Sequence, residues 1–239
     1  MRRVKKIISL LLVLALAAVL FSCGKNSSAG GGGQSNKIDE INLEKNIKGK
    51  KIAVVYFSVN DQAEMVAEEI ATEFNGDLHK IEPQVPYTEE DLDLNNPNSR
   101  INIEDDISLW GEEETTEETI EIAYGAIPPE TEATTEGRNI PKELPKIKPI
   151  KVNDAKIVIV GFPSWKKNAP KPVYTFLKTL KDKIIVPFCT DGEFGIIDEY
   201  INNFVDKSNK VMTGKELSED TTIEEIRQWM AMLSADFEK

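Results

Sequence analysis

Histidine and cysteine are scarce in this chain: one His and two Cys among 239 residues. A lone histidine, His79, cannot assemble a metal cluster, and beside polar neighbours it reads as an edge-strand surface residue. Cys23 and Cys189 lie too far apart for any paired-cysteine zinc spacing. Walker-type Gly-rich loops and G-x-S-x-G elbows are missing, which removes the common phosphate-cradle and serine-hydrolase readings. Positive charge is also short. The 29 Lys and Arg against 41 acids leave a formal charge of -12, and nucleic acid needs a basic surface, so it is not a partner.

No apolar run is long enough to span a bilayer as an ordinary helix. The longest, residues 7–21, follows a basic head of Arg2, Arg3, Lys5 and Lys6 and ends at Ser22-Cys23. That pattern is a secretory signal. Leu20-Phe21-Ser22-Cys23 looks like a lipobox, so residues 1–22 read as a lipoprotein signal peptide and Cys23 as its lipidated end. Two acyl chains on Cys23 would anchor the protein stably to a membrane. The expected location is the extracytoplasmic face of the cell membrane. With Cys23 lipidated, Cys189 has no disulfide partner in the chain; at the end of an apolar run it reads as a small packing residue, with a redox thiol at the border of the ligand cleft as the alternative.

Residues 23–49 are rich in Gly, Ser, Asn and Lys and read as the lipidated cysteine and a flexible tether. Residues 50–239 then form one domain. Acids are concentrated in one insertion, about 104–137: twelve Asp and Glu from Glu104 to Glu136 with no Lys or Arg, equal to the whole net charge. It reads as a solvated excursion. Calcium is the sharper alternative, because hard oxygen ligands suit it, but the run lacks EF-hand spacing. Trp110 inside it suggests a docking or folding point.

The domain alternates two patterns. Residues 51–57 (KIAVVYF), 155–162 (AKIVIVGF) and 183–190 (KIIVPFCT) are nearly continuous apolar runs, as strands buried on both faces must be. Residues 78–81 and 211–212 predict shorter strands. Ala63, Val66, Ala67, Ile70, Ala71 and Phe74 share one helical face; Asp61 with Glu64 predicts a capping box before it, and Gly76 a stop after it. Further helices are predicted over 170–180, 197–204 and from Thr221, which with Glu224 predicts a second capping box. Strands alternating with helices make a doubly wound α/β domain. Five strands suit a parallel sheet of order 2-1-3-4-5, whose ligand lies beyond the carboxyl ends of strands 1 and 3. The segments 57–63, 162–169 and 189–195 therefore bound the candidate cleft.

At those segments the chain resembles the flavodoxin family. The pieces that carry the likeness are Tyr56-Phe57-Ser58, Tyr87 with Asp91 to Asp93 and Asn96 to Arg100, Gly161-Phe162-Pro163, Ala169-Pro170 ahead of Thr175 to Leu177, and Val186 to Thr190. The resemblance implies a flavodoxin-like fold, noncovalent FMN and electron transfer, with a quinone or a redox protein as partner. It assigns the phosphate to Ser58, Asn60, Gln62 and Ala63 at a helix N-terminus, where free N–H groups and the dipole attract an anion. It places Pro163, Ser164, Trp165, Lys166 and Asn168 along the flavin, with Trp165 stacking on the ring, and Thr190, Asp191 and Gly192 at the ring edge. Each loop departs from the family pattern. Asn60, Asp61 and Ala63 replace a hydroxyl, a glycine and a hydroxyl of S-x-T-G-N-T. Lys166 and Lys167 replace the second aromatic and the glycine of P-x-W-W-G-x-A-P. The third loop, Asp191 to Gly195, is short and acidic, with Phe194 a substitute stacking face. Two readings remain: an FMN-binding electron carrier, an oxidoreductase if it is an enzyme, or a degenerate relative serving as a flavin-free interaction module.

Overall fold

A computed structural model of the chain describes residues 42–106, 143–192, 194 and 197–237. The expectations for Cys23, Trp110 and most of the acidic insertion lie outside these residues. Among the described residues no helix is long and apolar enough to cross a membrane.

The elements run β1 (Ile52–Tyr56), α1 (Gln62–Phe74), β2 (Asp77–Lys80), a 3-10 turn (Glu90–Leu92), α2 (Arg100–Asp105), β3 (Ile157–Pro163), α3 (Lys171–Leu177), β4 (Ile184–Thr190), α4 (Ile197–Phe204), β5 (Lys210–Val211), β6 (Lys215–Glu216) and α5 (Ile223–Ser234). All strand pairings are parallel and the order is β2-β1-β3-β4-β5, as the alternating pattern predicts, with β6 also pairing with β4. Every residue of β1, β3 and β4 is buried. Period-2 alternation sends neighbours to opposite faces. Val54, Ile159 and Phe188 join Val66 and Ile70 of α1 and Trp229 and Met230 of α5 on one side. Val55, Val160 and Cys189 join Val173 and Leu177 of α3 and Ile197 and Ile201 of α4 on the other. Two cores on one sheet are what double winding requires.

Several local expectations are corrected. No capping box forms at α1: Asp61 takes φ 66°, ψ -10°, and its side chain caps nothing. The stop after α1 is Asn75, whose φ of 49° makes it the left-handed residue expected of Gly76. The box on α5 lies one residue later than predicted, between Thr222 and Glu225, because Thr221 turns its hydroxyl to the Ser218 N–H. The single strand expected at 211–212 is a pair of two-residue strands, β5 and β6, flanking Gly214. Residues 42–47, which the tether was expected to include, are helical, with Leu43 buried in the core under α5. Gly161 has a packing reason: a Cβ there would sit 2.1 Å from the Phe188 ring on the paired strand.

Candidate functional site

The strand order opens a switch point between β1 and β3, and the three loops beyond the carboxyl ends of β1, β3 and β4 meet there. The Asn60 amide donates to the Asp191 carboxylate at 3.0 Å, joining the first loop to the third. The Ser164 N–H donates to the Thr190 carbonyl at 2.8 Å, joining the second to the third. A Cβ on Gly192 would stand 3.1 Å from Ser164 Cβ, so those loops are in contact. Ser58, Asn60, Ser164, Trp165, Thr190, Asp191 and Gly192 are thus brought together.

In the first loop, Ser58 Oγ is buried and has no hydrogen-bond partner. An unpaired buried hydroxyl costs about 1–3 kcal/mol, and natural proteins rarely keep one without use. Beside it, the first turn of the 13-residue α1 has no side-chain cap, so its N–H groups keep the unmet donors of a helix start. Gln62 and Ala63 open that turn. Ala63 is fully buried and has only its backbone to offer.

The second loop is a tight turn. Trp165 and Asn168 exchange backbone bonds of 2.9 and 2.8 Å, and Lys166 and Lys167 both hold positive φ, 49° and 64°. Asn168 faces inward, away from the role expected of it: its Oδ1 accepts from the Tyr174 hydroxyl at 2.6 Å and the Ala169 N–H at 2.9 Å. Trp165 is half-buried and packs edge-on against Phe57 and Tyr87, with centroids 5.5 Å away in each case. Lys166 Nζ lies 3.4 Å from Asp105.

In the third loop Thr190 is buried and Asp191 exposed. Phe194, expected as a stacking face, packs inward on Phe162 at 6.2 Å, over Gly214. The buried Cys189 thiol is pushed up to about 12 by burial, with Glu216, Asp191 and Asp198 adding to it. That shift favours the protonated thiol at neutral pH, as suits a packing residue.

Residues that motif reading left unassigned also border the site. Tyr87 donates its hydroxyl to Glu104, and the Arg100 guanidinium lies 3.9 Å from its ring centroid. Burial and Glu104 hold the Tyr87 hydroxyl far above the usual phenol range. A cleft of about 290 Å³ opens beside Ser58, lined by Phe57, Val59, Ile81, Pro86, Tyr87 and Leu92 among others. Tyr87 and Arg100 stand in segments that carried the family resemblance, and that was their only signal in sequence.

A family model described as flavodoxin matches residues 51–121 and 138–233, well over half of the chain. The chain belongs to the flavodoxin family. No curated protein matches it. Among solved structures, a candidate flavoprotein from Bacteroides eggerthii DSM 20697 is 27% identical, with a TM-score of 0.58 over 78% of this chain and 99% of that one. Another from Bacteroides uniformis ATCC 8492 is 23% identical, TM-score 0.54, covering 77% and 99%. A flavoprotein in complex with FMN from Lactobacillus acidophilus NCFM is more distant, at 16% identity and TM-score 0.45 over 70% and 93%.

As a flavodoxin, the chain can be tested for its fit to FMN. The phosphate end fits: an orphaned Ser58 hydroxyl stands beside an uncapped helix start. Asp61 at the same turn is exposed and makes no cap bond; its carboxylate would weaken a bound phosphate without occupying the donors.

Proposed function

We propose that this flavodoxin binds FMN noncovalently at the carboxyl edge of its sheet and serves electron transfer outside the cytoplasm, tethered by lipid on Cys23. The observation that carries the cofactor reading is the buried Ser58 hydroxyl without a partner next to the uncapped N-terminus of α1. Ser58, Asn60, Gln62 and the backbone of Ala63 would hold the phosphate. Pro163, Ser164 and Trp165 would line the flavin, and Thr190 to Gly192 would meet its edge. FMN supplies the redox chemistry when bound, so the protein's part is to bind, orient and shield it. Lys166, paired with Asp105, supports the second loop, and Asn168 fixes its foot. A quinone or a redox protein is the proposed electron partner. The basic head, apolar run and lipobox-like 20–23 support the anchor.

A second reading has its own observation. The Asn60–Asp191 bond ties two loops across the cleft, and Trp165 already has two rings against it, as suits an interaction module without flavin. One experiment separates the two. Purified full chain is mixed with FMN and passed through gel filtration. Flavin absorbance travelling with the protein supports the cofactor; colourless protein after incubation with FMN far above the micromolar range leaves the module. For the anchor, Cys23→Ala should move the protein from the membrane pellet to the soluble fraction. If that variant still sediments, the tether proposal is lost.

A further inference from the structure

Loop 2 is held in a conformation that its own residues resist. Lys166 and Lys167 occupy the left-handed region one after the other, which only glycine and, to a degree, asparagine enter at low cost. Such a turn needs support from outside. Its feet are tied by Asn168 and by the Ser164–Thr190 bond. Its tip and its aromatic side chain are held by a different part of the chain, the excursion between β2 and β3.

Two contacts come from there, and Phe57 after β1 completes the cluster. Asp105, the last residue of α2, pairs with Lys166. Tyr87 meets Trp165 edge-on, and both meet Phe57, so three rings close on one another at 5.5–5.8 Å. Tyr87 is itself immobilised: Glu104, 5% exposed, accepts its hydroxyl, and Arg100 covers its face. Arg100 in turn donates to Glu104 at 2.7 Å and to the Val85 carbonyl at 2.7 Å. A buried carboxylate between a phenol and a guanidinium fixes geometry, because removing either partner strands a polar group. From the other side, Lys171 in the first turn of α3 is 4% exposed; burial lowers its pKa while Asp105 and Glu104 favour its charge. The same short helix therefore pairs with loop 2 at Lys166 and lines one pocket with Lys171 just beyond it.

We propose that Tyr87, Arg100, Glu104 and Asp105 are positioning residues that set the pose of Trp165 and the Lys166-Lys167 turn at the ligand cleft. The consequence for FMN rests on the cofactor reading above; the clamp itself does not. A bland alternative is that these residues merely stabilise the domain.

Limited trypsin digestion of the full chain distinguishes these, because Lys166 and Lys167 are exposed and cleavage tracks local opening. The variants are Tyr87→Phe, which keeps the ring and drops the hydroxyl, Asp105→Asn, and Asp105→Glu as the conservative rescue. Cleavage after Lys166 or Lys167 should rise about tenfold in Tyr87→Phe, which strips a hydrogen bond from a buried carboxylate, and about threefold in Asp105→Asn, which breaks a part-exposed ion pair, while cleavage after Lys178 and Lys181 holds. Asp105→Glu should stay near wild type. FMN affinity should fall about fivefold or more in the first two variants, the loss expected when a preorganised contact loosens. Unchanged cleavage at the turn, or all sites accelerating together, overturns the clamp. Faster cleavage at the turn with undiminished FMN affinity overturns its role toward the ligand. If the wild type binds no FMN, the cofactor reading fails, and the clamp stands or falls on the cleavage pattern alone.

Discussion

Asp61 is the sharpest departure from the family loop, and replacing it has a calculable outcome. Its carboxylate makes no cap bond to α1, so its removal strands no N–H group. It forfeits only the dipole attraction of an acid at a helix start, about 0.3–1 kcal/mol. Against a phosphate, unit like charges ~5 Å apart repel by about 0.8 kcal/mol in water and about 3 kcal/mol at an effective dielectric of 20. Asp61→Asn should therefore tighten FMN by about fourfold at the wet limit and about a hundredfold or more at the dry one. Asp61→Gly should do the same and also relieve the φ of 66°, worth about 1 kcal/mol before the extra freedom of the unfolded chain is subtracted. The assay is quenching of FMN fluorescence at low and at physiological salt. Added salt should shrink the gain, since exposed charges are screened. The reasoning is refuted if Asp61→Asn binds FMN no more tightly than wild type at low salt.

Two further outcomes follow from the packing and the charges. Gly161→Ala drives a methyl into the Phe188 ring, 2.1 Å away; overpacking of about 1–3 kcal/mol should lower the melting temperature, and adding Phe188→Leu should restore part of it, whereas a wild-type melt for Gly161→Ala alone would contradict the packing. Asp198 has its pKa raised by burial, opposed by the Gly214 N–H that it accepts. The folded chain then holds this proton more tightly than the unfolded one, so stability falls as pH rises through the raised folded value. Relative to wild type, Asp198→Asn, which keeps an acceptor for Gly214, should gain denaturant midpoint as pH rises from acid to neutral; a difference that does not change with pH would contradict the role of Asp198.

Much of the scaffold was legible because burial writes itself into composition. β1, β3 and β4 are buried at every residue, and an apolar run is the only sequence that permits it. Edges and turns were harder. β5 and β6 are two residues each and half-exposed, so no run marks them. The pairing of Asp61 with Glu64 has the right letters for a cap, but the left-handed backbone at Asp61 turns the carboxylate away. At the site, the loops that meet could be named from topology alone. The partners Tyr87, Arg100 and Glu104 could not. Their contacts join residues far apart in sequence, and no periodicity encodes a ring meeting a ring. Phe194 is the same lesson reversed: a loop aromatic that read as available fills the space over Gly214.

The proposed cofactor site depends on anion binding at the start of α1. The most direct measurement compares FMN with riboflavin, which differs only by the phosphate, in parallel equilibrium titrations of the full chain. FMN should bind at least about tenfold more tightly, the equivalent of one or two charge-assisted hydrogen bonds. Equal affinities, or binding of neither, would contradict it.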